Sequence, residues 1–380
     1  MGNPLSQYTL DELRQRRSMK WRQYPDDVLP LWVAEMDTPP AEPIRAALAA
    51  ALDRGDLGYS TPGGAVEAFA GFAGTRYGWT VDPADARLSP NVMLGVSEVL
   101  RHVTRPGDGV VVNPPVYPPF YHYIPDAGRR IIESPLVRVD GQWTLDLERL
   151  ERDFADASAY LLCNPQNPTG VAYSRSTLLA IADLAERYDV RVLVDEIHAP
   201  LTYPGVSHVP FLSLDTAASH RAIAFHSASK AWNLAGLTTA IIVGGPGARA
   251  DLDRISHNFG DAVGIFGVLA TEAAFAHGTP WLDSLLAGLD ANRQLLGDLL
   301  RSSLPTVGYV QPQATYLAWL DCSELGLGDD PAAVFLERGR VAFNAGNAFG
   351  KPGAGHVRLN LATSGERVEE GVRRMVATLS

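Results

Sequence analysis

One lysine, Lys230, stands where a strand is predicted to end, and its surroundings suit a reactive amine. The apolar residues 222–225 predict a buried strand, and small polar residues then deliver Lys230 before apolar spacing resumes. A lysine in a cleft, flanked by Ser and Ala rather than by other charges, can form a Schiff base with a carbonyl compound. The alternative is a solvated lysine on a surface turn, so the choice depends on the rest of the chain.

Polar or aromatic residues also follow four other predicted strands. Val92 and Met93 open a predicted helix whose free amides suit a phosphate, and Tyr117 lies on a turn stiffened by prolines. Asn167 and Asp195 follow two further strands. Ligands of open α/β sheets collect outside the carboxyl ends of the strands, so these groups are expected to meet near the lysine. Together they suit one aromatic, phosphorylated aldehyde.

The elements that must position these residues are visible as short apolar runs that alternate with amphipathic stretches of helical length, a pattern typical of parallel βαβ units. The predicted strands are 87–89, 110–113, 130–133, 160–163, 191–195, 222–226 and 240–244. Predicted helices between them include 92–103 and 174–188, the second with Ser174 as its N-cap. The sequence therefore predicts an α/β fold with a mostly parallel, seven-stranded sheet flanked by helices.

The chain is long enough for a large domain and a smaller companion. Prolines make the first 40 residues an extended arm. The last part is α+β in character, with predicted strands 316–320, 341–343 and 357–361 of a second sheet and helices near 331–338 and 366–379. We expect an arm at 1–40 that joins the small domain, a large cofactor-binding domain at 41–285 and a small C-terminal domain at 286–380.

Composition excludes several classes of function. The balance of 32 basic against 43 acidic residues, a net charge of −11, argues against a nucleic-acid or anionic-membrane partner. The N-terminus lacks the charged and apolar regions of a signal peptide, and no apolar run is long enough to span a bilayer, so we expect a cytoplasmic protein. Two cysteines, Cys163 and Cys322, suggest packing residues in a reducing compartment. The histidines lack metal-ligand spacing, so we expect no metal.

Three motifs follow one another at intervals of about thirty residues: Asn-Pro-x-Asn-Pro-Thr-Gly at 164–170, Asp-Glu at 195–196 and Ser-x-Ser-Lys at 227–230. On these residues the chain resembles the fold-type I family of pyridoxal-phosphate enzymes, the aspartate-aminotransferase superfamily, over nearly its whole length. Asp-Glu-Ile-His-Ala-Pro-Leu and Trp-Val-Ala-Glu-Met-Asp resemble the cystathionine β-lyase or C-S lyase branch. The resemblance implies pyridoxal 5′-phosphate as the cofactor and an aspartate-aminotransferase-like large domain.

The resemblance also implies roles for four residues. Lys230 holds the cofactor and then takes the Cα proton of the substrate. Asp195 pairs with the pyridine nitrogen, Asn167 donates to the phenolic oxygen, and Arg358 clamps the substrate α-carboxylate. The alternatives are a turn-capping aspartate, an Asx-turn asparagine and an arginine that faces solvent from a half-buried strand.

The remaining expected contacts concern the ring and the phosphate. By resemblance, Tyr117 stacks on the ring face, with a core aromatic as the alternative. His198 takes the place of a tyrosine that contacts the phenolic oxygen in many aminotransferases, with a structural histidine as the alternative. For the phosphate we expect the amides of Val92 and Met93 and the hydroxyls of Ser227, Ser229 and Tyr59. Tyr59 would come from a second subunit, and we also expect it to take part in catalysis.

One position departs from the family pattern. Many aminotransferases carry an arginine eight residues after the lysine, and here that position is Thr238. The phosphate is therefore expected to have one charge partner fewer, which weakens a generic aminotransferase assignment.

These observations favour a C-S β-lyase that acts on cystathionine or a related cysteine S-conjugate and yields pyruvate, ammonia and a thiol. An aminotransferase uses the same residues and stays open as the alternative, as does a non-catalytic regulator that has kept the fold. The resemblance also implies a homodimer, in which Tyr59 of a second subunit reaches the phosphate. Substrate selectivity is expected from residues 32–37 and 117–123.

Overall fold

The computed structural model describes residues 2–380, with the side chains of residues 257 and 258 left aside. The strands are β1 Leu29–Pro30, β2 Ala86–Ser89, β3 Gly109–Val112, β4 Arg130–Glu133, β5 Val137–Val139, β6 Gln142–Thr144, β7 Ala159–Cys163, β8 Arg191–Asp195, β9 Ile223–His226, β10 Ala240–Gly244, β11 Gly308–Tyr309, β12 Leu317–Asp321, β13 Val341–Ala342, β14 Asn344–Ala345 and β15 His356–Asn360. The α-helices are α1 Leu10–Arg14, α2 Met19–Arg22, α3 Glu42–Asp53, α4 Ala65–Tyr77, α5 Val92–Val103, α6 Phe120–Asp126, α7 Leu147–Phe154, α8 Arg175–Arg187, α9 Ala217–Arg221, α10 Ala228–Ala231, α11 Arg249–Leu252, α12 His257–Asp261, α13 Ile265–His277, α14 Thr279–Ser303, α15 Pro331–Gly339 and α16 Gly365–Leu379.

A seven-stranded sheet forms the centre of the molecule, in the strand order β2-β10-β9-β8-β7-β3-β4. Strand β10 runs antiparallel to both of its neighbours, and the other neighbouring pairs are parallel. The predicted mostly parallel sheet of seven strands is therefore confirmed, and each predicted strand lies within one residue of its observed bounds. The helix predicted at 174–188 is α8, and Ser174 caps it by accepting a hydrogen bond from the amide of Thr177.

Both faces of this sheet are covered. Val110 and Val112 of β3 belong to one buried cluster, and Val111 between them belongs to another on the opposite face. Successive side chains of a strand point to opposite faces, so a strand that is apolar at every position needs a core on each side. Because strands β3, β7, β8 and β9 are parallel, their carboxyl ends lie at a common edge, where the polar residues that follow them can meet.

The second sheet is antiparallel, with the order β11-β12-β15-β14. Strand β13, predicted to belong to it, pairs instead with β1 of the N-terminal arm in a separate parallel pair, so that part of the prediction was wrong. The chain passes from β13 directly into β14, which takes the place beside β15, while the amides of Leu29 and Leu31 donate to the carbonyls of Arg340 and Ala342, both at 2.9 Å. The expected domain boundary at 285/286 lies inside the long helix α14, and the division into domains stays a prediction.

Two searches of the described residues gave negative results. Among them, no helix has the length and apolar character needed to cross a membrane. Nor does the described part of the chain contain three or more His, Cys, Asp or Glu side chains grouped so that they could hold a metal ion. Cys163 and Cys322 are both buried and unpaired, as packing residues would be.

Candidate active site

A cavity of about 550 Å³ opens at the carboxyl ends of the central strands. It brings together all of the predicted site residues except Tyr59, namely Val92, Met93, Tyr117, Asn167, Asp195, His198, Ser227, Ser229, Lys230 and Arg358. Tyr59 is fully exposed and does not line the cavity of its own chain. The chain by itself therefore assembles nearly the whole predicted site, and a contribution from Tyr59 requires a second copy.

Lys230 reaches the cavity from the short helix α10, which follows strand β9 directly. Its amine donates a hydrogen bond to the carbonyl oxygen of Ala34 at 3.2 Å, and the hydroxyl of Tyr316 donates to the same oxygen at 3.0 Å. Burial, reinforced by the nearby charge of Arg358, lowers the pKa of Lys230 to about 8. A substantial fraction of this amine is therefore neutral near physiological pH, which a nucleophile or a base requires.

Asp195, the last residue of β8, presents a buried carboxyl group to the same cavity. The amide of Ile197 donates to its Oδ1 at 3.1 Å, and none of the described Lys, Arg or His side chains forms an ion pair with it. Burial raises the pKa of Asp195 to about 7, against the opposing effects of that hydrogen bond and of Lys230. A cation placed at this carboxylate would stabilise its ionised form, and the protonated nitrogen of a pyridine ring is such a cation.

Arg358, in strand β15, is buried and holds its guanidinium inside the cavity. It donates to Oδ1 of Asn167 at 3.0 Å and to the carbonyl oxygen of Trp32 at 3.3 Å, and its Nε has no partner among the described residues. The ring of Phe349 lies 5.0 Å from the guanidinium carbon. Burial lowers the pKa of Arg358 only to about 10, so it stays charged. A buried cation without a carboxylate partner can receive the carboxylate of a ligand.

Asn167 connects this arginine to the cofactor end of the cavity. Because its side-chain oxygen accepts from Arg358, its amide group is left to donate, and that group has no partner among the described side chains. His198 is buried nearby, and burial together with the charges of Lys230 and Arg358 holds its pKa well below the ordinary value. A neutral imidazole and an amide group can each donate a hydrogen bond to an anionic phenolic oxygen of a ligand.

Tyr117 lines the cavity as expected, and burial, with a smaller contribution from the charge of Asp195, raises the pKa of its phenol to about 12. The phenol therefore stays neutral throughout the physiological range. Tyr117 can offer its ring as an apolar face and its hydroxyl as a neutral hydrogen-bonding group.

The end of the cavity expected to hold phosphate is formed by helix α5 and the residues before α10. Asn91 caps α5 by accepting from the amide of Leu94 at 2.9 Å. The amides of Val92 and Met93 precede the first intrahelical hydrogen bond, so they remain available to an anion, and the helix dipole favours one there.

The two serines at this end differ in their contacts. The hydroxyl of Ser227 donates to the carbonyl oxygen of Thr239 at 2.6 Å and accepts from the amide of Ser229 at 3.0 Å. The hydroxyl of Ser229 has no hydrogen-bond partner among the described residues. Thr238 lines the cavity in the position that lacks an arginine. In this arrangement Ser229 is the free hydroxyl donor, whereas Ser227 would have to give up its bond to Thr239.

Several lining residues were not predicted. Asn344, Ala345, Ala348 and Phe349 reach the cavity because β14 pairs with β15, which places Asn344 opposite Arg358. No local motif marks this segment, and only the pairing of the second sheet brings it to the site. Cys163, interpreted as a packing residue, also lines the cavity and is the register partner of Asp195.

The fold and the cavity together define a class of α/β protein in which a partly buried lysine, an arginine and a carboxyl group without an ion-pair partner among the described residues line one cavity beside a helix N-terminus. The chain belongs to the family described as aminotransferase class I and II, which matches residues 26–375. This confirms the superfamily that the sequence motifs predicted.

Individual relatives resemble the chain over almost all of its length. A protein of Mycobacterium leprae that carries the provisional name cystathionine beta-lyase is 47% identical over 397 residues, covering 98% of each chain. The cystathionine beta-lyase PatB of Bacillus subtilis is 38% identical over 375 residues, 96% of this chain and 97% of the relative. The crystal structure of cystalysin from Treponema denticola, which contains pyridoxal 5′-phosphate, matches with a TM-score of 0.93 and 27% identity over 100% of this chain and 99% of cystalysin.

Proposed function

We propose that the protein is a pyridoxal-phosphate-dependent C-S β-lyase that cleaves cystathionine or a related cysteine S-conjugate. The observation that carries this proposal is the meeting of Lys230, Asp195 and Arg358 in one cavity, where none of the three forms an ion pair with another described residue. A buried charge without a partner is costly, so such a set indicates a site completed by a ligand. The names of full-length relatives support a lyase as the particular member of the family.

The residues present fit the cofactor. Lys230 would hold its aldehyde carbon, Asp195 its ring nitrogen, and Asn167 and His198 its phenolic oxygen, while Tyr117 would cover the ring face. The phosphate would lie on the amides and hydroxyls at the start of α5 and α10, those of Val92, Met93, Ser229 and Ser227, with Tyr59 of a second copy completing the site. When bound, pyridoxal phosphate supplies a ring that accepts the negative charge left on Cα after the proton has gone.

The chain's own groups then orient the substrate and move the proton. Arg358 binds the α-carboxylate through a planar fork, which fixes the Cα–H bond relative to Lys230. The amine of Lys230, with a pKa of about 8, takes the Cα proton. Because Arg358 also contacts Asn167, the carboxylate site and the phenolic-oxygen site are held by one pair of side chains.

The overall reaction breaks the Cβ–S bond and the Cα–N bond of the substrate. One cysteine S-conjugate and one water give one thiol, one pyruvate and one ammonium ion, and no external oxidant or reductant is needed. Transamination uses the same lysine, aspartate and arginine but conserves the Cβ–S bond, so the products distinguish the two activities.

Purified protein incubated with L-cystathionine, with no keto acid added, tests the proposal. We expect pyruvate and free thiol in equal amounts, measured by a coupled reductase assay and a thiol reagent. Transfer of nitrogen from an amino donor to an added keto acid, with no thiol released from cystathionine or other cysteine S-conjugates, would instead assign an aminotransferase. Freshly purified protein without a visible absorption band would refute both enzymatic interpretations.

We further propose that the working form is a cytoplasmic homodimer with an arm at 1–40, a large domain at 41–285 and a small domain at 286–380. Full exposure of Tyr59 outside the cavity of its own chain supports a partner subunit as its place of action. Light scattering is expected to give twice the mass of one chain, and Tyr59→Phe is expected to weaken cofactor retention. A fully active monomer would contradict the dimer.

A further inference from the structure

The charges around the cavity bear on which cysteine conjugate the site accepts. Among the lining residues that the structure describes, the charged side chains are Asp195, Lys230 and Arg358, and the proposed function already assigns each of them. His198 is neutral, because burial keeps its pKa well below the ordinary value. The described residues of this chain therefore leave no charged lining group for the part of the substrate beyond its sulfur atom.

The wall on either side of Arg358 is uncharged. Phe349 lies against the guanidinium, Ala345 follows the register partner of Arg358, and Val33 follows the residue whose carbonyl accepts from it. The amide of Val116 donates to the carbonyl of Phe349 at 3.0 Å, which brings the loop after β3 to this wall. The uncharged residues that line the cavity include Val33, Pro118, Tyr123, Ala345, Ala348 and Phe349, and Asn344 opposite Arg358 adds a neutral amide.

Cystathionine carries two amino-acid ends. When one end occupies the cofactor and Arg358, the other brings an ammonium and a carboxylate group into contact with this wall. Charged groups that lose water without gaining partners bind poorly, whereas an apolar thiol portion gains from leaving water. The wall therefore favours one kind of leaving group over the other.

We infer that the site prefers cysteine S-conjugates whose thiol portion is uncharged and apolar, and that cystathionine is the poorer substrate. This inference rests on the proposed function and narrows its substrate class. The uncharged wall between Val33, Tyr123 and Phe349 determines the specificity, while Arg358 is satisfied equally by the α-carboxylate of either compound.

A matched pair of substrates tests it on the cofactor-loaded enzyme. S-butyl-L-cysteine has nearly the chain length of cystathionine but lacks its distal ammonium and carboxylate. We expect kcat/KM for pyruvate release to be about tenfold or more higher with S-butyl-L-cysteine than with L-cystathionine, a ratio typical of apolar pockets that discriminate by side chain. An equal or higher value with cystathionine would overturn the inference and leave the lyase assignment intact. Release from neither compound would overturn the proposed function itself.

Binding without turnover gives an independent measurement. The Lys230→Ala protein cannot take the Cα proton, so calorimetric titration with either compound in the same excess of pyridoxal phosphate reports binding without turnover, and the condensation of the substrate amine with the aldehyde is common to both compounds. We expect the same order of affinity, with S-butyl-L-cysteine binding about tenfold more tightly. Equal affinities would show that the wall does not discriminate.

A gain-of-charge variant completes the test. Ala348 is exposed and lines the mouth of the cavity, so a longer side chain there can be accommodated. Ala348→Arg is expected to raise the ratio of kcat/KM for cystathionine over S-butyl-L-cysteine about tenfold, because it offers a partner to the distal carboxylate. Ala348→Gln adds a long polar side chain without charge, so the difference between the two variants isolates the charge. Identical ratios in both variants would contradict a role for the uncharged wall.

Discussion

Two lysine and aspartate pairs of the described chain, Lys20 with Asp37 and Lys230 with Asp195, differ in the contacts that they make. Lys20 and Asp37 form a closed ion pair in the N-terminal arm, with 2.9 Å between Nζ and Oδ1 and almost no exposed surface. Trp21 donates to the same carboxylate at 3.1 Å, and the lysine also donates to the carbonyl of Glu35 at 3.2 Å. Asp195 is also buried and Lys230 is partly buried, but each makes a hydrogen bond to a backbone group and they do not form an ion pair with each other.

This difference is the one expected between a structural pair and the pair that we propose binds the cofactor. The Lys20 and Asp37 charges neutralise each other, and their hydrogen bonds are made within the chain. Lys230 and Asp195 form no ion pair with the described residues, and burial shifts the pKa values of both towards their neutral forms. Burial therefore does not separate Asp195 from Asp37, whereas the absence of an ion-pair partner among the described residues does, as expected for a carboxylate that binds a ligand.

The largest expected effect separates the two lysines by activity. Lys230→Ala is expected to lower kcat for pyruvate release by about 10⁴-fold, because it removes the proposed attachment point of the cofactor and the proposed base. Lys20→Met is the matched control, since it also removes a buried amine, and its folded fraction should keep activity. The measurement is kcat normalised to folded protein by circular dichroism. Equal losses in the two variants would erase the distinction between the lysines.

The second effect concerns the free energy of unfolding, for which Lys20 is expected to matter more than Lys230. Lys20→Met leaves Asp37 buried without its cation, which is expected to lower the free energy of unfolding by about 3–5 kcal/mol. Denaturant titration of the cofactor-free protein measures this change. Replacing both partners, as Lys20→Met with Asp37→Asn, should recover part of the loss because no buried charge is then left unpaired. A single variant as stable as the wild type would show that the pair contributes nothing.

The third effect is a pH dependence of the cofactor-free protein. Asp195 has a pKa of about 7 in the folded chain against an ordinary value of 3.8. A carboxyl group with a raised folded-state pKa favours folding at low pH, and its contribution is lost as the pH rises from about 4 to about 7. Asp195→Asn should remove this dependence and, at pH 8, raise the stability of the cofactor-free protein by as much as about 4 kcal/mol. The control Asp37→Asn should lower it.

Thermal unfolding from pH 4 to pH 8 gives the comparison directly. With bound cofactor the order should reverse at pH 8, because only the wild-type carboxylate can pair with a protonated ring nitrogen. If Asp195→Asn destabilises the cofactor-free protein at pH 8, the fold stabilises the ionised carboxylate and the pKa of Asp195 is not raised.

Much of the site was predictable because it lies at strand ends. Asn167, Asp195 and Lys230 follow apolar runs whose bounds were predicted within a residue, and parallel strands bring their carboxyl ends to one edge. The partner of β13 was not predictable, because β1 and β13 are short apolar runs whose sequences do not specify which strand each pairs with. Phe349 and Ala348 reach the cavity through that same second sheet, so no local pattern marks them.

The smallest effect tests, on two hydroxyl groups, whether a side chain without a partner among the described residues is the one that binds a ligand. Ser227 donates to the carbonyl of Thr239, as a structural group does, whereas the hydroxyl of Ser229 has no partner among the described residues. Ser227→Ala is expected to lower the stability of the cofactor-free protein by about 1 kcal/mol through loss of that bond and of the cap on α10. Ser229→Ala should leave this stability unchanged and weaken pyridoxal-phosphate binding about fivefold, the loss of one hydrogen bond to phosphate. Fluorescence titration of the cofactor-free protein measures the affinity, and calorimetric unfolding measures the stability. The reverse assignment, with Ser227→Ala affecting affinity alone, would mean that the bond to Thr239 breaks when phosphate binds and that internal partners do not identify structural groups at this end of the site.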